Sequence, residues 1–353
     1  MYPRLVRWRL SGKKDKNISK ESEFTLSNSN GNDYKFKLGI YLPELQLPFE
    51  ESLAAAKEIG AEYVWFGKLP QGSGLPEIIP DLTIRQAEEL SQRIENSGLK
   101  ISLIAPGSPF KQIDLTELEY EDIKSHTRFR KELDDLVRTM EIASILGIKA
   151  VNAHAFTWPG EYLGKPTWAM RWLTQGGVIS DKLEMSNQPS EMDKLAKALS
   201  LVLEEAEKYD VDLVLSTLPW HYTNTTTNFR QIAERVGSKK LKAIWGPADS
   251  INSGELNVST AGFKNIQPYL HSLHLKDLHV IDGLHLNFKY TPIGEGDTDY
   301  LTILRNMRLH KTDAVLAVAA HFTAPSGLGV DAVRINFNNI KSLIDKVENE
   351  PTG

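Results

Sequence analysis

Cysteine is missing from all 353 residues, and that absence removes disulfide staples, thiolate metal sites and cysteine nucleophiles together. Long apolar runs are missing too. Nothing approaches the roughly 18 consecutive apolar residues of a membrane span, and the N-terminus shows no apolar h-region of a secretory signal. No membrane contact and a cytoplasmic location are therefore expected. Positive charge is not in excess: the formal net charge is −5, so no general cation field draws nucleic acid. No Gly-x-Gly-x-x-Gly run follows the first strand, which counts against a doubly wound dinucleotide fold. No glycine-rich phosphate loop or arginine cluster stands out late in the chain, so phosphate handling is unsupported. What is present is ordinary for a large globular α/β domain, with 41% hydrophobic and 25% charged residues.

The pattern along the chain divides into an N-terminal arm over 1–35, a regular body over 36–348 and a short tail over 349–353. In the arm, Val6, Trp8 and Leu10 alternate with Arg7 and Arg9, as in a strand with one cationic face. Lys13, Lys14, Lys16 and Lys20 follow, then a second strand-like stretch over 23–26 and a loop at 28–33. Such an arm either covers apolar helix surface or makes subunit contacts, with a homo-oligomer or a paralogous subunit as partner. In the body, strands are expected at 37–41, 62–66, 99–104, 148–153, 211–216, 241–245, 271–275 and 314–319. Helices are expected at 49–59, 83–96, 128–146, 191–209, 228–236, 258–269, 299–309 and 333–347. Short, almost continuously apolar strands alternating with helices indicate a parallel sheet covered on both sides. Eight such units in about 310 residues fit a (β/α)₈ TIM barrel with an N-terminal extension.

Function on such a barrel sits in the loops after the strands. Those ends carry Glu44, Asn152, His154, Ser216, Trp220, His221, Trp245, Asp249, His274, Lys276 and His321. The loop over 155–190 holds Phe156, Trp158, Trp168 and Trp172 and reads as a lid or pocket wall. His274 and Lys276 share a strand face because side chains alternate. A Gly-punctuated turn at Gly294 and Gly296, with Glu295 between them, leads to a helix that Asp297 or Thr298 can cap.

Three runs in the body are distinctive: A-x-x-L-G-I-K at 143–149, H-L-K-D at 274–277 and G-E-G-x-x-D at 294–299. On these the chain resembles the xylose isomerase-like TIM barrel superfamily, the sugar phosphate isomerase/epimerase family, over roughly residues 36–348. The resemblance implies a divalent metal at the barrel mouth, held by one histidine and three carboxylates, that drives proton transfer on a sugar. His274 matches the histidine. The three carboxylate positions read Ser216, Gly246 and Ala319 (or Ala320). A hard cation needs several oxygen ligands with neutralising charge, so no metal is expected at that position and a degenerate metal site follows.

Two readings of function remain open. One is a lapsed enzyme that binds a sugar-like ligand, or serves as a non-catalytic subunit, through His154, Trp158, Ser216, His221, Asp249, His274, Glu295 and His321. The other is an active sugar isomerase, epimerase or lyase. It would use either a relocated Zn or Mn site built from histidines, or metal-free acid–base chemistry at His274 and Lys276. For Lys276 the plainer role is a salt bridge to Asp277 or Glu295.

Overall fold

The computed structural model describes residues 34–157, 191–282 and 287–351. The strand-like stretches of the arm, and Trp158, Trp168 and Trp172 of the long loop, lie outside the described residues. A compact body runs from Lys35 to Pro351. It is built on eight parallel strands that close on themselves: β1 (Lys37–Tyr41), β2 (Tyr63–Phe66), β3 (Lys100–Ile104), β4 (Ala150–Ala153), β5 (Asp212–Ser216), β6 (Leu241–Trp245), β7 (Leu270–Leu275) and β10 (Val315–Val318). Around the barrel they run β1-β10-β7-β6-β5-β4-β3-β2. Closure pairs Gly39 with Ala317 on one side of β1 and with Tyr63 on the other. A (β/α)₈ barrel is the fold.

The helices are α1 (Phe49–Ile59), α2 (Ile84–Asn96), α3 (Thr127–Ile145), α4 (Glu191–Lys208), α5 (Thr226–Val236), α6 (Pro247–Asn252), α7 (Phe263–Ile266), α8 (Tyr300–Leu309) and α9 (Gly329–Glu348). Local chemistry sets their ends. Gly60 ends α1 at φ 105, in the left-handed region that glycine enters without Cβ strain. Thr83 and Gln86 form a reciprocal capping box at the start of α2. The barrel interior is filled by Trp65, Leu103, Ala150, Val214, Ile244 and Ala317, a cluster of buried side chains drawn from six strands.

Three local expectations change. The helix expected over 258–269 is broken into a π turn (Val258–Gly262), the short α7 and a 3₁₀ turn (Gln267–Tyr269). Pro268 carries no amide hydrogen and cannot continue α-helical bonding. The cap of α8 is Asp299, whose side chain accepts from the Thr302 amide at 3.0 Å, rather than Asp297 or Thr298. Asp297 instead accepts from the Val280 amide at 2.7 Å. After β7 the chain does not turn at once into a helix: β8 (Asp277–Asp282) and β9 (Asn287–Thr291) form an antiparallel hairpin. Its alternation was visible in D-L-H-V-I-D, but a barrel unit leads one to expect a loop there.

Candidate functional site at the barrel mouth

The C-terminal ends of the strands enclose a cavity of about 190 Å³. That is below the roughly 300–1,000 Å³ of pockets that take drug-sized ligands, so it suits a single-ring molecule. Its wall is part aromatic (Tyr41, Trp65, Trp220, Tyr290) and part polar and charged, with Asp249, Lys276, His274 and His321 among the latter.

The deepest charged feature is an ion pair. Lys276 Nζ lies 3.0 Å from Asp249 Oδ2, with the two side chains 3% and 2% exposed. Asp249 reaches this point from the first turn of α6, which Pro247 starts directly after β6. Gly246, the last residue before that turn, makes the arrangement fit. A Cβ at position 246 would fall on the Asp249 carboxylate. The carboxylate therefore occupies the space that any side chain at the end of β6 would need. Lys276 pairs with Asp249 and not with Asp277 or Glu295. Asp277 faces away from the cavity into the Gly-Glu-Gly turn, accepting from the amides of Leu278, Gly294, Gly296 and Thr298 at 2.9–3.2 Å.

Next to the Lys276–Asp249 pair round the mouth, the ends of β7, β10 and β1 lie side by side. They bring together Glu44 from the 3₁₀ turn after β1, His274 from β7 and His321 just beyond β10. One ligand atom from each lies within 4.8 Å of the other two, and His321 Nε2 is 3.4 Å from Glu44 Oε1. The His274 ring is held edge-on by Tyr41 and Trp65, at centroid distances of 6.0 and 5.9 Å. Tyr290 packs edge-on against His321 at 4.9 Å. Burial, with the nearby Lys276, His321 and Lys111 charges, holds His274 well below the usual imidazole range, so it is neutral at pH 7. Burial, reinforced by the Glu44 charge, raises the Tyr41 hydroxyl to about 12. Among the described residues, three that line this cavity carry a buried side-chain atom without a hydrogen-bond partner: Trp65 at Nε1, His274 at Nε2, and Asp249 at Oδ2, which has only its ion pair with Lys276.

On the β4–β5 side, Asn152 Nδ2 donates to Ser216 Oγ at 3.0 Å and to the Val214 carbonyl at 2.8 Å. His154 packs its Nδ1 3.3 Å from the Pro109 carbonyl. Burial, aided by the Lys111 charge, lowers His154 to about 3.

Of the residues singled out in the sequence, His154, Ser216, Asp249, His274, Lys276 and His321 line the cavity. His221 does not. It is buried beside His154, with its Nε2 3.3 Å from the Lys111 carbonyl. Glu295 is exposed in its turn, away from the cavity. Trp158 lies outside the described residues. The histidines thus do not converge as one set: His274 and His321 meet Glu44, while His154 and His221 pack against loop carbonyls. Sequence reasoning missed Lys111 and Tyr290. Tyr290 carried a faint signal, as part of the alternating N-F-K-Y-T run; Lys111 sits in a loop with no periodicity to read.

A closed eight-stranded parallel barrel with a cavity at the strands' C-terminal ends defines the architecture of a barrel enzyme or of its non-catalytic relatives. The family model for the xylose isomerase-like TIM barrel matches residues 53–332, and the chain belongs to that family. No curated protein matches the sequence. Among solved structures it is similar to an L-ribulose 3-epimerase, at 16% identity and TM-score 0.60, covering 89% of this chain and 96% of that one. A probable 3-DHS dehydratase from Bacillus anthracis matches at 16% identity and TM-score 0.62, covering 87% and 99%. A 3-keto-D-glucoside 4-epimerase from E. coli matches at 16% identity and TM-score 0.58, covering 88% and 99%. At such identities these likenesses speak for the fold.

Proposed function

We propose that this barrel binds a monosaccharide-sized polyhydroxy ligand in its mouth and has given up the metal-linked proton transfer of its sugar-acting relatives. The observation that carries the reading is the buried Lys276–Asp249 pair. A hard divalent cation at the mouth would need several anionic oxygens. The strand ends offer Ser216, Gly246 and Ala319 in place of acids, and Asp249, the carboxylate lodged beside Gly246, is already neutralised by an ammonium. The residues present do not fit a Mg²⁺ or Mn²⁺ cage. An ammonium in that place keeps one part of the ion's work, since its N–H donors attract ligand oxygens. The rest of the wall suits a sugar: Trp65 stacked on Tyr41 at 4.1 Å, with Trp220, gives apolar faces, and Asn152, Ser216 and His154 give directed polar groups. The epimerases among the structural neighbours act on sugars by name, which supports the ligand class.

Titration calorimetry of chelator-treated protein against a panel of aldoses, ketoses and polyols tests this. Binding of at least one of them is expected, weakened about 10–100-fold by Lys276→Met, the loss of one charge-assisted hydrogen bond of roughly 1.5–3 kcal/mol. Epimerase turnover restored by added Mg²⁺ or Mn²⁺ and abolished in His274→Ala would show that the inherited chemistry survives. A second reading, metal-free acid–base catalysis on the same ligand, is favoured by the His321–Glu44 pair opening on the cavity. Turnover in the presence of chelator, lost in His321→Gln, would select it.

A further inference from the structure

We propose that Glu44, His274 and His321 form a binding site for one zinc-type transition cation, beside the Lys276–Asp249 pair at the next strand ends round the mouth, with a coordination position left open to the cavity. The site differs from the one-histidine, three-carboxylate arrangement in two of its three ligands, and it stands whether or not the cavity takes a sugar.

Topology brings the three donors together: they come from the neighbouring strand ends β1, β10 and β7. Zinc holds nitrogen and carboxylate oxygen at about 2.0–2.2 Å in a tetrahedron, which sets ligand–ligand edges of roughly 3.4 Å. The His321–Glu44 edge already stands at 3.4 Å. The other edges are no longer than 4.8 Å; rotation of the exposed His321 side chain shortens its edge to His274, and rotation of the Glu44 side chain the other. His274 is fixed where a ligand must be fixed, in edge contact with the stacked Tyr41 and Trp65 rings. A plain rim ion pair accounts for Glu44 and His321 but leaves His274 Nε2 buried without a hydrogen-bond partner. Two imidazoles and one carboxylate suit zinc or another borderline cation, not magnesium or calcium, which demand oxygen. The charges are compatible, because Asp249 already neutralises Lys276 and Glu44 offsets one charge of the ion. Three protein ligands leave the fourth position for water or a ligand hydroxyl, the pattern of open zinc sites.

The test uses full-length protein stripped with chelator and titrated with Zn²⁺ alone by calorimetry, then with Co²⁺ followed by its visible d–d absorption. One equivalent is expected, with tetrahedral-type Co²⁺ bands. Glu44→Gln and His321→Ala sit at the rim, where folding tolerates them, and each is expected to weaken zinc at least about 100-fold, beyond the effect of losing a mere supporting partner. His279→Ala, on the exposed face of the hairpin, should leave zinc affinity unchanged. No binding by the wild type, or binding that survives both Glu44→Gln and His321→Ala, overturns the proposal. The sugar titration in chelator reads the ligand proposal separately, so either can fail without the other.

Discussion

Replacing Asp249 with alanine strands an ammonium in the wall of the barrel mouth. Lys276 is 3% exposed and its partner carboxylate lies 3.0 Å away, itself 2% exposed. Removing one member of such a buried pair costs about 3–5 kcal/mol, whereas replacing both by well-packed apolar groups is often close to neutral. For a body of roughly 300 residues, with an unfolding entropy of about 2.1 cal/mol/K per residue, that loss lowers Tm by about 5–8 °C. The assay is a double-mutant cycle of Asp249→Ala, Lys276→Met and their combination, read by denaturant and thermal unfolding at two salt concentrations. Each single variant should lose several kcal/mol and the double variant should recover most of it, with little salt dependence because the pair is shielded from counterions. A cost below about 1 kcal/mol for Asp249→Ala, typical of solvated pairs, would refute the burial argument. So would single costs that simply add.

The remaining predictions concern the same end of the barrel and its titrating groups. Gly246→Ala places a methyl on the Asp249 carboxylate; it should cost about 1–3 kcal/mol, as overpacking does, and weaken any ligand that depends on Lys276. Asp277→Ala leaves the amides of Gly294, Gly296 and Thr298 without their acceptor, with an expected loss of roughly 2–4 kcal/mol by denaturant unfolding and faster amide exchange across that turn. Burial lowers His154 to about 3 and His271 to about 4, so the unfolded chain binds more protons below about pH 6.5 than the folded one does. Their contribution is complete above that pH and is lost as pH falls toward the folded values. It amounts to about 2 kcal/mol each between pH 6.5 and 5. Stability that stays flat over that interval, or that falls equally steeply in His154→Gln, would contradict the assignment.

Where the sequence was most legible, one physical signal dominated. The strand over 241–245 and the helix over 49–59 appear with the expected bounds, because a short apolar run between turn residues and an amphipathic stretch closed by Gly60 leave little else to fold. The barrel follows from the same alternation repeated eight times. At the mouth, strand-end position brought His274, Lys276, Asp249 and His321 to one cavity. Their pairing was not legible. Asp249 reaches Lys276 only because Pro247 starts a helix one residue after Gly246, and no periodicity announces that. The convergence of Glu44 with His321 depends on barrel closure, which joins the first and last strands across almost the full length of the chain. Glu295 was drawn in by its place in a glycine turn, yet three amides of that turn point toward Asp277 and leave Glu295 in solvent.

The fit of Gly246 against Asp249 also limits what position 246 can become. An acid introduced at 246 would collide with the carboxylate already lodged there, and deleting Asp249 first would orphan Lys276. Any stepwise path to an anion at the tip of β6 must therefore cross a destabilised variant, and only a concerted change at three positions, 246, 249 and 276, avoids it.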